Sequence, residues 1–180
     1  MNHVQPIRDK EKVRDIIEFF AERNERNKVM FMFGIYTGLR ISDILKIRVK
    51  QAKLDYITLY EQKTKHTKRF PIVPKLRREL NKYIDGKKDN EYLFRSRQGK
   101  NKPITRVRAY EILREAASAN DLKEIGTHTL RKTFGYHMYQ MDKDVAMLQD
   151  IFNHSSEYIT LKYIGINQDA IDKAMKQLTY

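Results

Sequence analysis

Residues Val29–Tyr36 read VMFMFGIY, and this stretch is apolar on every side of a helix. A helix without a polar face is buried by its neighbours, so we expect the core to include this segment. Gly38 stands where a glycine in the left-handed conformation commonly ends a helix. Arg40 then emerges directly from hydrophobic sequence. An arginine that directly follows a buried segment is held more rigidly than one on a charged helix face. A rigid guanidinium is suited to phosphate recognition.

Basic residues outnumber acidic ones, with 36 Lys and Arg against 23 Asp and Glu in 180 residues, and the formal net charge is +13. That excess points to a polyanionic partner, of which nucleic acid is the commonest. The length fits one domain over residues 1–180. No apolar run approaches the ~20 residues of a membrane-spanning helix, and no signal peptide follows Met1. We therefore expect a cytoplasmic protein without a membrane partner.

The chain has no cysteine, which removes disulfides, thiolate chemistry and Cys-ligated zinc. Its five histidines, at positions 3, 66, 128, 137 and 154, include no close pair four residues apart that is backed by carboxylates. The sequence therefore predicts neither a metal site nor a cofactor.

Hydrophobic periodicity predicts an α+β fold that is predominantly α-helical. We expect helices that begin near residues 9 and 74 and helices over residues 106–120, 126–137, 144–152, 157–164 and 168–178. Tyr56–Glu61 and Arg69–Val73 alternate as β-strands do and predict a hairpin. Glu91–Ser96 is a candidate third strand, so the small antiparallel sheet should have about three strands.

The predicted hairpin has a basic tip at residues 63–68. Lys63, Lys65, Lys68 and Arg69 lie on it or beside it and are candidate DNA contacts. The same charges also suit a solvated turn, so the function of the tip stays open at this point.

The helix predicted after Thr105 has a basic start, and such an N-terminus is an ordinary way to meet phosphates. Arg106 and Arg108 are candidate DNA contacts on its outward side. The side chains that we expect to face inward are Val107, Tyr110, Ile112, Leu113 and Ala116. A charged helix face is also commonly just solvated, so base contact from this helix stays open.

His128 and Arg131 are three residues apart in GTHTLRKTFGYH, residues 126–137. On a helix these positions share one face, so an imidazole and a planar guanidinium can converge on one small anion. Taken alone, this spacing is common on solvated helices. The other motifs of the chain are what indicate a function for this His–Arg pair.

Five motifs follow one another along the sequence: TGLRISDIL at 37–45, QKTK at 62–65, HTLR at 128–131, NHSS at 153–156 and TLKYI at 160–164. In this order and spacing they resemble the catalytic domain of the tyrosine recombinases, the phage-integrase family. The resemblance covers residues 7–165. It implies a bacterial or phage-encoded, nucleoid-associated, site-specific recombinase that cleaves and rejoins DNA through a 3′-phosphotyrosine bond, without metal or ATP.

The resemblance also implies which residues act. The catalytic set is Arg40, Lys63, His128, Arg131, His154 and the nucleophile Tyr163, with Asp43 in a supporting position. The two arginines and His154 would neutralise the phosphate, as electrostatic stabilisation of phosphoryl transfer requires. Lys63 would give a proton to the leaving oxygen, and His128 would move a proton at the nucleophile or hold the phosphate.

Two assignments in this set have competitors. Lys65 competes with Lys63, which we favour because it lies eight residues before Pro71, the spacing of the family pattern. Tyr158 and Tyr180 compete with Tyr163. We favour Tyr163 because of its register with His154 and Thr160.

One residue departs from the family pattern. Asn153 stands where the family usually has a glycine before the histidine of NHSS. The departure removes no catalytic group, and asparagine tolerates the left-handed conformation better than most residues do.

The implied partner is double-stranded DNA with paired recombination half-sites. The resemblance implies that the protein is a homotetramer on DNA and a monomer in the absence of DNA. Family members usually carry an N-terminal helical domain, and this chain begins near the first catalytic-domain helix. We expect either a piece of a longer protein or a catalytic-domain-only member, like the fimbrial phase-switching recombinases. Residues 166–180 should form a C-terminal helix that docks on a neighbouring subunit or packs on its own chain. Competing functions are a catalytically silent or accessory DNA-binding protein and a type IB topoisomerase-like enzyme.

Overall fold

The computed structural model describes residues 4–60, 67–123 and 125–177. In chain order these form α1 (Lys10–Arg23), α2 (Glu25–Thr37), α3 (Ile41–Ile44), α4 (Val49–Ala52), β1 (Tyr56–Tyr60), β2 (Thr67–Pro71), α5 (Pro74–Ile84), α6 (Arg106–Ala119), α7 (Thr127–Asp142), α8 (Val145–Phe152), α9 (Glu157–Ile164) and α10 (Ile166–Lys176). The predicted fold class is confirmed, since the described chain is mostly helical with a small antiparallel sheet. No helix within these ranges is long and apolar enough to traverse a bilayer.

Helix α2 is the centre of the core, as its sequence predicted. The side chains of residues 29–33 are at most 1% exposed, and α1, α5 and α7 pack around them. Gly38 ends the helix in the left-handed conformation, with φ of 65°. Helix α7 approaches so closely that a Cβ on Gly34 would lie 2.5 Å from Cδ1 of Leu130. The packing therefore fixes α7 relative to the end of α2.

Strands β1 and β2 form the predicted hairpin, paired antiparallel from Tyr56 opposite Pro71 to Tyr60 opposite Thr67. Ile57 is fully buried and anchors the hairpin on the core. The second strand begins two residues earlier than predicted. Residues 61–66, which include the candidate site residues Lys63 and Lys65, lie outside the described ranges.

The third strand predicted at Glu91–Ser96 is wrong, because the sheet of the described chain has two strands. This segment instead makes isolated β-bridges, one to Arg48 and one to Pro103. Leu93 and Phe94 are adjacent, and both are 0% exposed. A segment that is buried on both faces passes through the core between two loops, whereas an outer strand of a small sheet alternates in burial.

Helix α6 begins where predicted, with the Thr105 side chain accepting a hydrogen bond from the Arg108 amide at 3.0 Å. Its inward face was predicted only in part. Ile112, Leu113 and Ala116 are buried as expected, but Val107 is 67% exposed and Tyr110 is 43% exposed. Ala109 is the first buried position; Val107, two residues before it, points to nearly the opposite side of the helix, and Tyr110, one residue after it, points about 100° away. Both side chains therefore remain on the surface that faces the candidate site.

A second, smaller hydrophobic cluster packs the C-terminal helices against α7. Leu148, Phe152 and Ile164 are its fully buried members, and Phe134 and Tyr163 pack against them. This cluster positions α9, the helix that carries the candidate nucleophile.

Gly38 and Gly86, two of the four left-handed glycines of the described chain, allow a matched stability test. An alanine at either residue incurs the left-handed strain of about 1–2 kcal/mol. A Cβ at Gly86 meets nothing within 4 Å, whereas a Cβ at Gly38 overlaps the Phe134 ring. We expect Gly38→Ala to lower the free energy of unfolding by a further ~1–3 kcal/mol through overpacking. Urea denaturation of both variants measures this, and equal losses would contradict the packing described.

Candidate active site

Arg131 is the buried charge of the candidate site. It lies on the second turn of α7 and is only 4% exposed. Its Nη1 donates to the carbonyl of Gly38 at 2.6 Å, and Nη2 donates to the carbonyl of Phe152 at 3.1 Å. The guanidinium also lies 4.3 Å from the Phe152 ring centre. One side chain thus joins α7 to the ends of α2 and α8.

The charge of Arg131 has no carboxylate partner among the residues that the structure describes. The pKa of Arg131 is lowered to about 10, mainly by burial. Tyr163 opposes this shift, whereas the charge of Arg40 adds to it. The side chain therefore remains a cation at neutral pH. The two carbonyls use two of its five N–H donors, so donors remain for an anion.

Arg40 lies at the surface beside this buried charge. It precedes α3, is exposed, and lines an open cleft of about 550 Å³. The cleft walls are Arg40, Ile41, Ser42, Arg106, Val107, Tyr110, Thr127, His128 and Arg131. Four of these side chains are arginine or histidine and none is acidic, so the cleft suits an anionic ligand.

Asp43 faces a neighbouring cleft of about 290 Å³, which Arg40 and Arg131 also line. Its charge raises the pKa of Arg131. No ion pair joins Asp43 to Arg40 in the described part of the chain. Asp43 therefore lies beside the cationic pair without neutralising it.

Tyr163 lies on the last turn of α9 and brings its phenol oxygen to 3.4 Å from Nδ1 of His128. Its ring packs edge-on against His154 at 5.0 Å and Phe152 at 5.5 Å between centres. Burial raises the pKa of Tyr163, while the charges of Arg131 and Arg40 lower it. The competing Tyr158 is 64% exposed, and Tyr180 lies outside the described ranges.

His154 follows α8 through a tight turn at Asn153. The backbone of Asn153 is left-handed, with φ of 55° and ψ of 49°, as expected of the residue that replaces the family's glycine. His154 places Nδ1 at 3.1 Å from Oγ1 of Thr160. Burial, and then the charges of Arg131 and Arg40, lower the pKa of His154.

His128 resembles His154 in its electrostatics. Burial is the main cause that lowers the pKa of His128, and Lys132, Arg131 and Arg40 add to it. Both imidazoles are therefore mostly neutral at pH 7 while the cleft holds no anion.

The structure also brings residues to the site that the sequence did not single out. Phe152 offers its carbonyl to Arg131 and its ring to Tyr163. Lys132 places Nζ 5.2 Å from the Tyr163 ring centre and donates to the carbonyl of Val4 at 2.7 Å. The sequence could have indicated Lys132, because this residue directly follows Arg131. It could not indicate the role of the Phe152 carbonyl, since every residue has a backbone carbonyl.

The predicted DNA contacts are placed differently from one another. Lys68 donates to the carbonyl of Asp150 at the end of α8, and its Nζ is 3.7 Å from the Asp150 carboxylate. Arg69 stacks on the Tyr56 ring at 4.2 Å. Arg106 lines the large cleft, and Arg108 pairs with Glu111 at 2.9 Å.

Arg108 also lines a second cleft, of about 320 Å³, on the other side of the start of α6. Arg26 and Arg97 line it as well, and its walls include no acidic residue. The pKa of Arg26 is lowered, mainly by burial. The charges of Arg97 and Arg108 add to this shift, and Tyr83 opposes it. Basic clefts thus adjoin the start of α6 on both sides.

No group of three or more His, Asp or Glu side chains in the described chain has the arrangement of a metal site. The basic side chains that line the large cleft are three arginines and His128, which are ligands for an anion.

Comparisons with known proteins show which proteins this chain is similar to. The sequence matches the family model described as "Phage integrase family" over residues 8–169. It is 50% identical over 177 residues to the "Probable integrase/recombinase YoeC" of Bacillus subtilis (strain 168), covering 98% of this chain and 97% of that protein.

Solved structures share the fold. A crystal structure of XerA recombinase has a TM-score of 0.77 at 19% identity, over 99% of this chain and 65% of that one. A post-cleavage complex of XerH site-specific recombinase with palindromic difH substrate has a TM-score of 0.73 at 17% identity, over 98% and 54%. The chain therefore spans less than two thirds of either recombinase chain.

The electrostatics of the site predict how its histidines titrate. We expect the free protein to titrate His128 and His154 with midpoints below the usual ~6.5 of histidine, because burial and nearby cations disfavour their charged forms. A DNA phosphate in the cleft should raise both midpoints, since an anion stabilises imidazolium. Proton NMR of the imidazole CH signals, assigned with His→Gln variants, measures this.

His137 is the control for this titration. Burial also lowers the pKa of His137, but its Nε2 bonds the Ile7 carbonyl at 2.9 Å, outside the cleft. Its midpoint should be low and should not respond to DNA. Midpoints of His128 and His154 at or above the ordinary value without DNA would contradict the electrostatics described.

Proposed function

Because the chain belongs to the phage integrase family, the tyrosine recombinases, we propose that it is a site-specific DNA recombinase that cleaves and rejoins DNA through a 3′-phosphotyrosine bond at Tyr163. The observation that carries this proposal is the convergence of one phenol with two imidazoles and two guanidinium groups. Tyr163 contacts His128 and His154, and the charges of Arg131 and Arg40 both act on its phenol.

The reaction exchanges one phosphodiester for another. The phenol oxygen of Tyr163 bonds to phosphorus, and the bond from phosphorus to the 5′ oxygen breaks. The 5′ oxygen leaves with a proton as a hydroxyl group. The phosphotyrosine bond resembles the bond that was broken, so a 5′ hydroxyl can attack it in return and the proposal needs no ATP.

His128 is the proposed acceptor of the phenol proton. Its Nδ1 lies 3.4 Å from the phenol oxygen, slightly beyond the ~2.6–3.2 Å of a productive transfer, and such contacts commonly tighten when substrate binds. Because its pKa is lowered, the ring is neutral and able to accept a proton at pH 7. Lys63 is the proposed donor to the leaving 5′ oxygen, with Lys65 as the competitor.

Neutralisation of the phosphate falls to Arg40, Arg131 and His154 in this proposal. Phosphoryl transfer is catalysed mainly by positioning and by opposing charge on the nonbridging oxygens. Arg131 is suited to this role because it is buried, held by two carbonyls and without a carboxylate partner in the described chain. Asp43, near both arginines, would help to orient them. With charge supplied by these side chains, the reaction requires no metal ion.

Double-stranded DNA with paired half-sites is the proposed partner. The net charge of +13 and the two basic clefts beside α6 support a phosphate backbone as ligand. Arg106 and Arg108, which face these two clefts, and Lys68 and Arg69 on the hairpin would then contact DNA. The related XerH was solved bound to a palindromic DNA substrate, which agrees with this proposal.

A homotetramer on DNA is the proposed assembly, with α10 as the element that docks on a neighbouring subunit. Ile171 is 51% exposed and Met175 is 64% exposed, so α10 keeps apolar side chains in solvent. Within its own chain, α10 is tied to the N-terminal segment by an ion pair of 2.8 Å between Arg8 and Asp169. Docking on a neighbour would use the exposed side chains of this helix.

Trapping the covalent intermediate tests the proposed function. On a nicked suicide substrate, the wild-type protein should form a covalent protein–DNA adduct, detected as a band shift in a denaturing gel. Tyr163→Phe should abolish the adduct and leave DNA affinity nearly unchanged, because it removes only the attacking oxygen.

Tyr158→Phe is the matched control, since Tyr158 lies on the same helix and is 64% exposed. This variant should form the adduct at the wild-type rate. An adduct from Tyr163→Phe would show that another residue attacks. A wild-type protein that binds DNA without forming any adduct would instead indicate a silent, accessory DNA-binding protein.

A further inference from the structure

Thr160 is a buried hydroxyl that the proposed chemistry does not use. It lies on α9 one turn before Tyr163 and is 0% exposed. Its Oγ1 donates to the carbonyl of Ser156 at 3.2 Å and lies 3.1 Å from Nδ1 of His154. A threonine hydroxyl has one proton, so it cannot donate to both of these atoms.

The two contacts favour one position for the proton of His154. A carbonyl oxygen can only accept, and a threonine hydroxyl on a helix commonly donates to the carbonyl four residues earlier. With its proton on the Ser156 carbonyl, Thr160 can only accept from Nδ1 of His154. In this arrangement the neutral imidazole carries its proton on Nδ1. Its Nε2 has no hydrogen bond to any residue in the described ranges.

We propose that Thr160 is a positioning residue, whose hydroxyl holds His154 with the proton on Nδ1 and keeps Nε2 available for the phosphate. This inference rests on the proposed function, because it assigns how His154 meets the scissile phosphate. Nδ1–H keeps its acceptor whether the ring is neutral or charged. The second proton is therefore taken up at Nε2, which can donate it to a nonbridging oxygen.

The same contact ties the imidazole to the nucleophile. Thr160 and Tyr163 are three residues apart on α9 and share one face of it. His154 bonds the first of these residues and packs on the ring of the second, at 5.0 Å between centres. Helix α9 therefore positions both the attacking phenol and the phosphate-binding imidazole. A displacement of α9 would therefore move both groups together.

Replacing the hydroxyl separates this role from packing. Thr160→Val keeps the shape of the side chain but places a methyl group against Nδ1, which leaves the Nδ1–H of the charged ring without an acceptor. We expect adduct formation on the suicide substrate to slow by about tenfold, equivalent to ~1.4 kcal/mol. Thr160→Ser keeps the hydroxyl and should restore most of the rate.

A double-mutant cycle tests whether Thr160 acts through His154. In a His154→Ala background, Thr160→Val should cause no further slowing, because the group that it positions is gone. Equal slowing by Thr160→Val with and without His154 would overturn the proposal. Equal slowing by Thr160→Ser and Thr160→Val would overturn it too.

The position of the proton can be measured without DNA. Nitrogen-15 NMR of histidine-labelled protein should report Nδ1–H for His154 in the wild type and in Thr160→Ser, and Nε2–H in Thr160→Val. Nε2–H in the wild type would overturn the proposal. Because this measurement needs no reaction, it decides the role of Thr160 even if the wild-type protein forms no adduct, a result that would contradict the proposed function alone.

Discussion

The buried guanidinium of Arg131 is the contact on which the candidate site depends. It donates to the carbonyl of Gly38, two residues before Arg40, and to the carbonyl of Phe152 at the end of α8. These bonds hold the ends of three helices around one positive charge. The charge is costly to bury without an anion, and in the described chain it bonds to two carbonyls and has Asp43 nearby but no carboxylate in direct contact. The fold thus keeps a buried positive charge that a negatively charged ligand would neutralise.

The groups around this charge respond to it. Arg131 and Arg40 lower the pKa of both His128 and His154, and they oppose the effect of burial on Tyr163. A phosphate would reverse this balance, because its charge favours the cationic form of an imidazole. In the proposed reaction, a bound phosphate would therefore help His128 to take up the proton of the Tyr163 phenol.

The sequence predicted those features that follow from local spacing and motif order. Helical spacing placed His128 and Arg131 on one face, and the tolerance of asparagine for the left-handed conformation predicted the turn at Asn153. The features that it missed depend on tertiary contacts. A carbonyl such as that of Phe152 carries no side-chain signal, and the bond between Thr160 and His154 joins two separate elements. The burial of both faces of residues 91–96 likewise depends on what packs on each side.

The most direct measurement is a crystal structure of the protein trapped on a suicide DNA substrate. The phosphorus should be bonded to the phenol oxygen of Tyr163, with nonbridging oxygens within about 3 Å of guanidinium nitrogens of both Arg40 and Arg131. Arg131 should keep its bonds to the carbonyls of Gly38 and Phe152. A phosphate bound in another cleft, or a phosphorus bonded to a different residue, would contradict the proposal that these helix ends form the catalytic site.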